Sequence, residues 1–329
     1  MRIQIKSTGR YLPQRVVTSG ELEVELGLEE GFIASRNGVV SRHVADTARG
    51  ETTAQMCAWA AEDALERAEM TRDELDLIIF ASAGPEQAIP DTAPFVQTAL
   101  GLGDSGVTCF SVHSTCLSFL SALDVASCMI ECGRYRNVLI VCCEISSLSV
   151  NPQDPKTYTL FGDAAAAAIV SPTPEGEASE ILRAHFSTFG EAARFTEVPG
   201  FGTARHPNHV ENSFEHYTFR MDGREVLRYS LREAPAALEK IWPGLSSSCD
   251  DFDIIIPHQP SLVGMKALGR YLDPEKTIET LSCYGNCVSV SLPLSIDEAL
   301  RSGRAARGQR CLLFGTGAGL TIAGMSLVL

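Results

Sequence analysis

The chain of 329 residues lacks the features that would assign it to a membrane, secreted or metal-binding class of protein. No apolar run reaches the roughly 18 residues that a bilayer span requires. Residues 1–6 alternate polar and apolar side chains as a strand does, and they contain no signal-peptide core. No CxxC pair and no HExxH motif occurs. We therefore expect a cytoplasmic protein with no membrane partner, no metal and no resident cofactor.

Basic residues are also scarce. The chain has 27 Lys and Arg against 41 Asp and Glu, which gives a net charge of −14 and argues against nucleic acid as a partner. The 11 cysteines are odd in number and irregularly spaced, so they form a poor disulfide framework, and most are interpreted as reduced and buried. Hydrophobic residues make up 45% of the chain, enough for a large core.

Apolar runs alternate with amphipathic stretches, which predicts an α/β protein with a buried sheet. An irregular segment over residues 188–217 is typical of a functional loop or lid. In the third predicted helix, Pro235 is expected to cause a kink or a break. The predicted strands are 1–6, 76–81, 107–111, 137–143, 164–170, 253–257, 310–314 and 320–328, and the predicted helices are 53–68, 117–132, 223–241, 262–271 and 289–302.

The chain repeats itself loosely. Residues 76–80 resemble 253–256, and the Phe-Gly-Asp sequence at 161–163 resembles the Phe-Gly-Thr sequence at 314–316. Both matches fit a duplicated half with a boundary near residues 171–176. The chance similarity of one buried strand to another explains them equally well.

Cys116 is a candidate nucleophile. A strand is predicted to end near Ser111, Ser114 and Thr115 offer N-cap chemistry, and a helical leucine pattern begins at Leu117. Cys116 is therefore expected at or near the first turn of a helix, where unpaired N–H groups and the macrodipole favour a reactive thiolate. The alternative is a small buried side chain at a helix start.

Two further polar residues follow buried or turn segments. His258 comes directly after the strand predicted at 253–257, at the end where α/β sheets place ligand sites, although a lone His there more often has a structural role. Asn286 lies in a Gly-Asn turn, which is ordinary loop chemistry, but its amide can donate a hydrogen bond without ionising. The glycine-rich segment 314–321 lacks the Lys-Ser/Thr of a P-loop and is interpreted as a turn that brings backbone N–H groups to a substrate.

Together these pieces resemble the β-ketoacyl-acyl-carrier-protein synthase III family of the thiolase superfamily over essentially the whole chain. The resemblance implies a thiolase-like α/β fold of five layers, αβαβα, made of two pseudo-symmetric βαβαβαββ halves. Residues 1–171 would carry the nucleophilic Cys, and residues 172–329 the His and Asn. It also implies a homodimer. The segments that carry it are 30–39, 114–116, 161–165, 257–259 and 284–286.

The same resemblance implies a Cys116, His258 and Asn286 triad, with an oxyanion hole made by the backbone N–H groups of Cys116 and Ala318. Cys116 would accept an acyl group from an acyl-CoA, which then condenses with a malonyl thioester as carbon dioxide leaves, in fatty-acid or related biosynthesis. Intact Asn286 favours this reaction. Two alternatives remain: acyl transfer from CoA or carrier protein to an oxygen or nitrogen acceptor, and a non-catalytic subunit of a heterodimeric synthase, which would be expected to lose triad residues.

By family position, five residues are expected to contact substrate: Phe32, Arg36, Ile89, Thr316 and Gly317. Phe32 replaces a Trp that usually stacks on the adenine of coenzyme A, and Thr316 replaces a Phe of the active site. Ile89 is expected to reach across the dimer, at a position where head-to-head condensing enzymes carry a Glu base. The substitutions suggest a specialised relative with an unusual acyl primer.

Docking of an acyl carrier protein is assigned to Arg224, Arg228 and Arg270. The Arg that this family usually uses is replaced by Val263. Arg224 and Arg228 share a helical face with Arg232, and a solvated helix face is the alternative interpretation of this row.

Overall fold

The computed structural model describes residues 1–206, 208 and 213–329. In that part of the chain no helix is both long and apolar enough to cross a bilayer. The strands are β1 Ile3–Tyr11, β2 Arg15–Thr18, β3 Ser41–Val44, β4 Leu77–Phe80, β5 Thr108–Ser111, β6 Val138–Glu144, β7 Ala164–Pro172, β8 Glu180–Thr188, β9 Thr196–Glu197, β10 Arg220–Met221, β11 Ile254–Pro257, β12 Arg310–Gly317 and β13 Thr321–Val328. The α-helices are α1 Ser19–Leu26, α2 Phe32–Asn37, α3 Thr53–Arg67, α4 Ala93–Ala99, α5 Ser118–Glu131, α6 Pro155–Tyr158, α7 Gly223–Ile241, α8 Leu262–Leu268, α9 Leu281–Tyr284 and α10 Ser291–Arg301.

The first large sheet has the strand order β1-β7-β6-β4-β5. Strand β4 runs parallel to β5 and β6, whereas β7 is antiparallel to both of its neighbours. Because side chains alternate along a strand, Leu77 and Ile79 enter one core cluster and Ile78 and Phe80 enter another. The sheet is therefore covered on both faces, which explains its continuous apolar runs.

The second large sheet repeats this plan with the order β11-β12-β13-β8. A parallel bridge from Ile255 to Thr277 adds one more chain segment beside β11, at the position that β5 holds in the first sheet. Strand β11 is parallel to β12, and β13 is antiparallel to β12 and β8. The predicted boundary at residue 171 falls at the end of β7, and the division into two halves there remains a prediction.

The elements stack in five layers. Helices α3 and α4 pack on the outer face of the first sheet, α5 and α10 lie between the two sheets, and α7 packs on the outer face of the second sheet. The central cluster holds residues of both sheets, such as Ile79 and Ile256. This arrangement confirms the α/β fold and the order of layers expected from the sequence.

Several local predictions were wrong. Helix α7 is unbroken at Pro235, so the predicted break does not occur; Ala237, Leu238 and Ile241 on the following turns are buried against the second sheet. Strand β12 extends to Gly317, so the predicted glycine-rich turn shrinks to the link before β13. Residues 207 and 209–212 of the predicted loop 188–217 lie outside the described residues.

Candidate active site

Cys116 lies in a 3₁₀ turn, Thr115–Leu117, that leads directly into α5. This agrees with the predicted place at or near the first turn of a helix. Thr115 opens this turn with φ +50°, a left-handed conformation that β-branched residues rarely adopt. Its hydroxyl donates to the Ser114 carbonyl at 2.8 Å and reaches the Ala318 carbonyl at 3.3 Å. Cys116 is thus held on a constrained turn beside the β12–β13 link.

The acidity of Cys116 differs from the expectation. Burial raises the pKa of its thiol to about 11, and the nearby Glu144 carboxylate raises the pKa further. Hydrogen bonds from the backbone N–H groups of Ala318 and Cys116 itself act in the opposite direction, but they are outweighed. The residue stays partly exposed, so a substrate has access. At neutral pH the thiol is therefore protonated, and the helix macrodipole does not make it a resting thiolate.

Two glycines of β12 allow this strand to run between His258 and the turn Thr115–Leu117, which carries the candidate nucleophile and is called the nucleophile turn below. A Cβ on Gly315 would lie 2.8 Å from the Cβ of His258 and 2.9 Å from Cδ2 of Leu117. A Cβ on Gly317 would lie 3.1 Å from Oγ1 of Thr115. The small residues of this segment therefore serve close packing, and they bring the ends of β11 and β12 to the turn that carries Cys116.

His258 follows β11 and is 2% exposed. Its backbone N–H donates to the Phe314 carbonyl at 2.7 Å, which fixes the residue to β12. Burial lowers the pKa of the imidazole to about 4, so the ring is neutral at physiological pH. Its Nδ1 atom is enclosed and has no hydrogen-bond partner within the described ranges. The adjacent Gln259 is structural, because its side-chain oxygen accepts from the N–H groups of Thr280 and Leu281.

The side-chain amide of Asn286 has a fixed orientation. Its Oδ1 accepts from the backbone N–H of Val288 at 2.8 Å, and its Nδ2 donates to the Pro260 carbonyl at 3.2 Å. Because Pro260 lies two residues after His258, this bond ties the two predicted triad members together. The Nδ2 atom has a second N–H that the Pro260 bond does not use. Asn286 can therefore present a donor to a ligand.

The Phe-Gly-Asp segment holds the asparagine turn in place. The Asn286 N–H donates to the Leu160 carbonyl at 3.0 Å, and the Gly162 N–H donates to the Asn286 carbonyl at 3.3 Å. A Cβ on Gly162 would lie 2.0 Å from the Tyr284 carbonyl oxygen, so no larger residue fits. Asp163 accepts from the N–H of Ala45 at 2.9 Å. The two motifs are therefore one packing unit that positions Asn286.

The predicted substrate residues separate into two places. Phe32 begins α2 and packs with Val288 in one apolar cluster, and the guanidinium of Arg36 lies 5.7 Å from the centre of its ring. Thr316 and Gly317 lie on β12 beside the nucleophile turn.

Ile89 lies instead on the loop between β4 and α4, next to a cis bond to Pro90, with its side chain 85% exposed.

The predicted docking arginines also differ from one another. Arg228 donates from Nε to Glu225 at 3.1 Å, and Arg232 is paired with Glu233, so acidic neighbours offset part of the α7 row. Arg270 is exposed just beyond α8. Lys266, on the same helix, is exposed as well, and neither cation has an ion pair among the residues described. Sequence reasoning missed Lys266.

Glu144 is a second residue that sequence reasoning missed. It ends β6 and is 4% exposed, and its carboxylate accepts from the N–H groups of Ala83 at 2.7 Å and Gly84 at 3.2 Å and from the Ser289 hydroxyl. Burial raises the pKa of this carboxyl to about 7. The available signal was one acidic residue at the end of the apolar run 138–143. Within the described ranges, no group of three or more His, Cys, Asp or Glu is arranged to hold a metal ion.

Comparison with known proteins places this geometry in a family. The model of "3-Oxoacyl-[acyl-carrier-protein (ACP)] synthase III" matches residues 110–190, and the model of its C-terminal region matches residues 246–329. The β-ketoacyl-[acyl-carrier-protein] synthase III of Syntrophomonas wolfei is 32% identical over 99% of this chain and 97% of its own length. That of Campylobacter fetus is 33% identical over 97% of this chain and 96% of its own length.

Solved structures agree with these sequence matches. The crystal structure of 3-oxoacyl-[acyl-carrier-protein] synthase III from Aquifex aeolicus superposes with a TM-score of 0.86 at 30% identity, covering 99% of this chain and 100% of that one. The corresponding enzyme of Thermus thermophilus gives the same TM-score of 0.86 at 29% identity, over 99% of this chain and 98% of that one. The chain belongs to the 3-oxoacyl-[acyl-carrier-protein] synthase III family.

Proposed function

We propose that the chain is a 3-oxoacyl-[acyl-carrier-protein] synthase III-like enzyme that condenses a Cys116-bound acyl group with a malonyl thioester. One observation carries the proposal. The turn that carries the Cys116 thiol, with the N–H groups of Ala318 and Cys116 directed at its sulfur, packs against the same glycine of β12 as the neutral His258, and Asn286 donates to the Pro260 carbonyl just after His258. This set combines a nucleophile, an oxyanion site and two uncharged donors, as a decarboxylating condensation requires.

The first half-reaction is acyl transfer to Cys116. The sulfur attacks the carbonyl carbon of an acyl-CoA, the backbone N–H groups of Ala318 and Cys116 stabilise the tetrahedral oxyanion, and the CoA thiolate leaves. Because the thiol holds its proton at neutral pH, deprotonation has to accompany the attack. The proton passes to the departing thiolate, which leaves as the CoA thiol.

The second half-reaction forms the carbon–carbon bond. His258 and Asn286 donate hydrogen bonds to the thioester carbonyl of the malonyl substrate, and the bond to its carboxylate breaks to release carbon dioxide. The resulting enolate is stabilised by the same two donors, and its carbon attacks the acyl-cysteine to release the 3-oxoacyl thioester. Burial keeps His258 uncharged, which suits this step because a strong acid would protonate the enolate carbon before it attacks.

The substrate groups are assigned to the residues around this centre. Phe32 and Arg36 form a stacked aromatic and cationic pair at the start of α2, which fits the adenine and phosphates of coenzyme A. Thr316 and Gly317 line the acyl site from β12. Strand β5 is an edge strand of the first sheet and offers its free side to a second copy. A homodimer formed there would bring the exposed Ile89 into contact with the partner's acyl pocket.

Docking of the acyl carrier protein is assigned to a cationic face that includes Arg224, Arg228 and Arg270, and we add Lys266. The overall charge of −14 repels an acidic partner, so a local group of cations is required for productive approach. Since Glu225 offsets the charge of Arg228, Lys266 and Arg270 at α8 are the stronger part of this surface.

The proposal is tested by separating the two half-reactions. The protein is incubated with a panel of acyl-CoA thioesters, and mass spectrometry locates the added acyl group. Malonyl-CoA and malonyl carrier protein are then supplied, and carbon dioxide is measured. We expect acylation on Cys116, absent in Cys116→Ala, followed by carbon dioxide release.

Acylation without carbon dioxide release would replace condensation by transfer to an oxygen or nitrogen acceptor. No acylation by any thioester, or equal acylation of Cys116→Ala, would contradict the assignment of the nucleophile and support a non-catalytic subunit.

A further inference from the structure

Glu144 connects two segments that lie far apart in the sequence. Its carboxylate accepts from the N–H groups of Ala83 and Gly84, which begin the loop that leads to Ile89, and from the hydroxyl of Ser289 in the 3₁₀ turn Val288–Val290. A nearly fully buried carboxylate is costly unless donors satisfy it. Three donors converge on this one, so the interaction holds both segments to the end of β6.

The Ser289 end of this connection controls Asn286. The backbone N–H of Val288 holds Oδ1 of Asn286 at 2.8 Å, so the position of the turn sets the direction of the amide. Val288 has φ +49°, a left-handed conformation that a β-branched residue keeps only where its surroundings impose it. The bond from Ser289 to Glu144 is an anchor immediately after that residue.

The same turn has a counterpart around the nucleophile. Thr115–Leu117 opens with φ +50° and continues into α5, and Val288–Val290 opens with φ +49° and continues into α10. Ser289 therefore occupies in the second half the position that Cys116 occupies in the first. The two turns are in contact with each other.

We propose that Glu144 is a positioning residue for the decarboxylation step: it locks the Ser289 turn and so aims the Asn286 amide, while it fixes the base of the loop that carries Ile89. This inference rests on the proposed function. It assigns Glu144 no contact with substrate. Loss of the Glu144–Ser289 bond is expected to impair enolate stabilisation far more than acylation of Cys116.

The ionisation of Glu144 provides a readout that a purely structural role would not give. When the carboxyl binds a proton, it loses its charge and accepts more weakly from the N–H groups of Ala83 and Gly84, and the Ser289 hydroxyl has to become the acceptor, so the connection weakens. The pKa of about 7 places this change within the working pH range. The other titratable groups that sense its charge are thiols that burial keeps neutral: Cys57, Cys116, Cys142, Cys143 and Cys287.

The experiment compares Glu144→Gln, Ser289→Ala and a matched control, Ser291→Ala. Ser291 is buried two residues away, and its hydroxyl has no hydrogen-bond partner among the described residues, so its removal breaks no such bond. For each variant, Cys116 acylation by acyl-CoA and carbon dioxide release from the malonyl thioester are measured separately, and folding is checked by circular dichroism.

We expect carbon dioxide release to fall about tenfold in Glu144→Gln and Ser289→Ala, near the upper limit of one hydrogen bond, with acylation changed less than about threefold. The double variant should lose little more than either single variant. In the wild type, carbon dioxide release should decline as pH falls through about 7, and this acidic limb should disappear in Glu144→Gln.

Several results would overturn the inference: wild-type carbon dioxide release in Ser289→Ala, an equal loss in Ser291→Ala, or equal losses in both half-reactions. If Glu144→Gln does not fold, Ser289→Ala still decides, because it removes one hydroxyl only. Failure of the proposed function is a separate outcome, since the wild-type protein itself would then release no carbon dioxide.

Discussion

The backbone N–H of Ala318 donates a hydrogen bond to the sulfur of Cys116, although the two residues are 202 positions apart in the sequence. The bond favours the thiolate, but burial and the charge of Glu144 act against it and leave the pKa of the thiol at about 11. The Cys116 thiol is therefore protonated at rest. Its deprotonation has to accompany any attack on a thioester, and this has measurable consequences.

Alkylation of Cys116 by iodoacetamide should show the raised pKa. The rate, followed by peptide mass at this residue, is expected to keep increasing at pH values where an unperturbed thiol, with a pKa of about 8.5, has levelled off. The exposed thiol of Cys283 provides an internal comparison in the same sample. A rate for Cys116 that reaches its plateau below neutral pH would show instead that the turn stabilises a thiolate.

The two buried ionisable groups near the site should give the folding stability opposite pH slopes. For His258, whose pKa falls from 6.5 to about 4 on folding, the unfolded state binds the extra proton, so stability is lost as pH falls between those values. For Glu144, whose pKa rises from 4.5 to about 7, the folded state binds the extra proton, so stability is lost as pH rises between those values.

Each slope can reach about 1.4 kcal/mol per pH unit. Urea unfolding of the wild type, His258→Ala and Glu144→Gln at several pH values between 4 and 7 measures them. The unfolding free energy of His258→Ala should fall less than that of the wild type as pH is lowered. That of Glu144→Gln should rise relative to the wild type as pH approaches 7. If both substitutions changed the pH slope of the unfolding free energy in the same direction, the opposite pKa shifts of His258 and Glu144 would be contradicted.

Replacing Gly315 by Ala should damage both folding and catalysis. The added methyl group would lie 2.8 Å from Cβ of His258 and 2.9 Å from Cδ2 of Leu117, and overpacking of a filled core costs roughly 1–3 kcal/mol. The shift would separate His258 from the Cys116 turn, so acylation should slow as well. Denaturant unfolding and the acylation rate check this.

Gly20→Ala is the matched control, because a Cβ there meets no atom within 4 Å and Gly20 lies in α1. We expect it to be neutral or slightly stabilising, since Ala is a better helix former than Gly. Equal effects of the two substitutions would mean that the close approach at Gly315 carries no particular weight.

Charge reversal at α8 should weaken the reaction with carrier protein selectively. The double substitution Lys266→Glu and Arg270→Glu is expected to raise KM for malonyl carrier protein by about threefold to tenfold and to leave KM for malonyl-CoA nearly unchanged. Arg228→Glu should have a smaller effect, because Glu225 already offsets that charge. Added salt should reduce the wild-type advantage, and an equal rise for both malonyl donors would remove the docking role.

The buried strands could be predicted closely from the sequence, whereas the ends of elements and the glycine segment could not. The strand predicted over residues 253–257 is Ile254–Pro257 in the structure. It could be predicted because a strand covered on both faces needs an unbroken apolar sequence. Pro235 was a local signal for a break in α7, but packing of Leu238 and its neighbours against the second sheet overrode it. Gly315 and Gly317 lie in a segment that local sequence predicts as a turn. Their actual role is close packing against residues that are distant in the sequence, which local sequence does not reveal.

The sequence by itself determined the α/β class, the family and the identity of the three candidate triad residues, because those depend on local patterns and on motifs in a fixed order. The tertiary structure alone decided their chemical states. The pKa of the Cys116 thiol depends on its burial, on the N–H of Ala318 and on the charge of Glu144. The direction of the Asn286 amide depends on the N–H of Val288 and on the carbonyl of Pro260, which comes from a remote segment. For the same reason, Glu144 became visible as part of the site only once β6, the loop to Ile89 and the Ser289 turn were brought together.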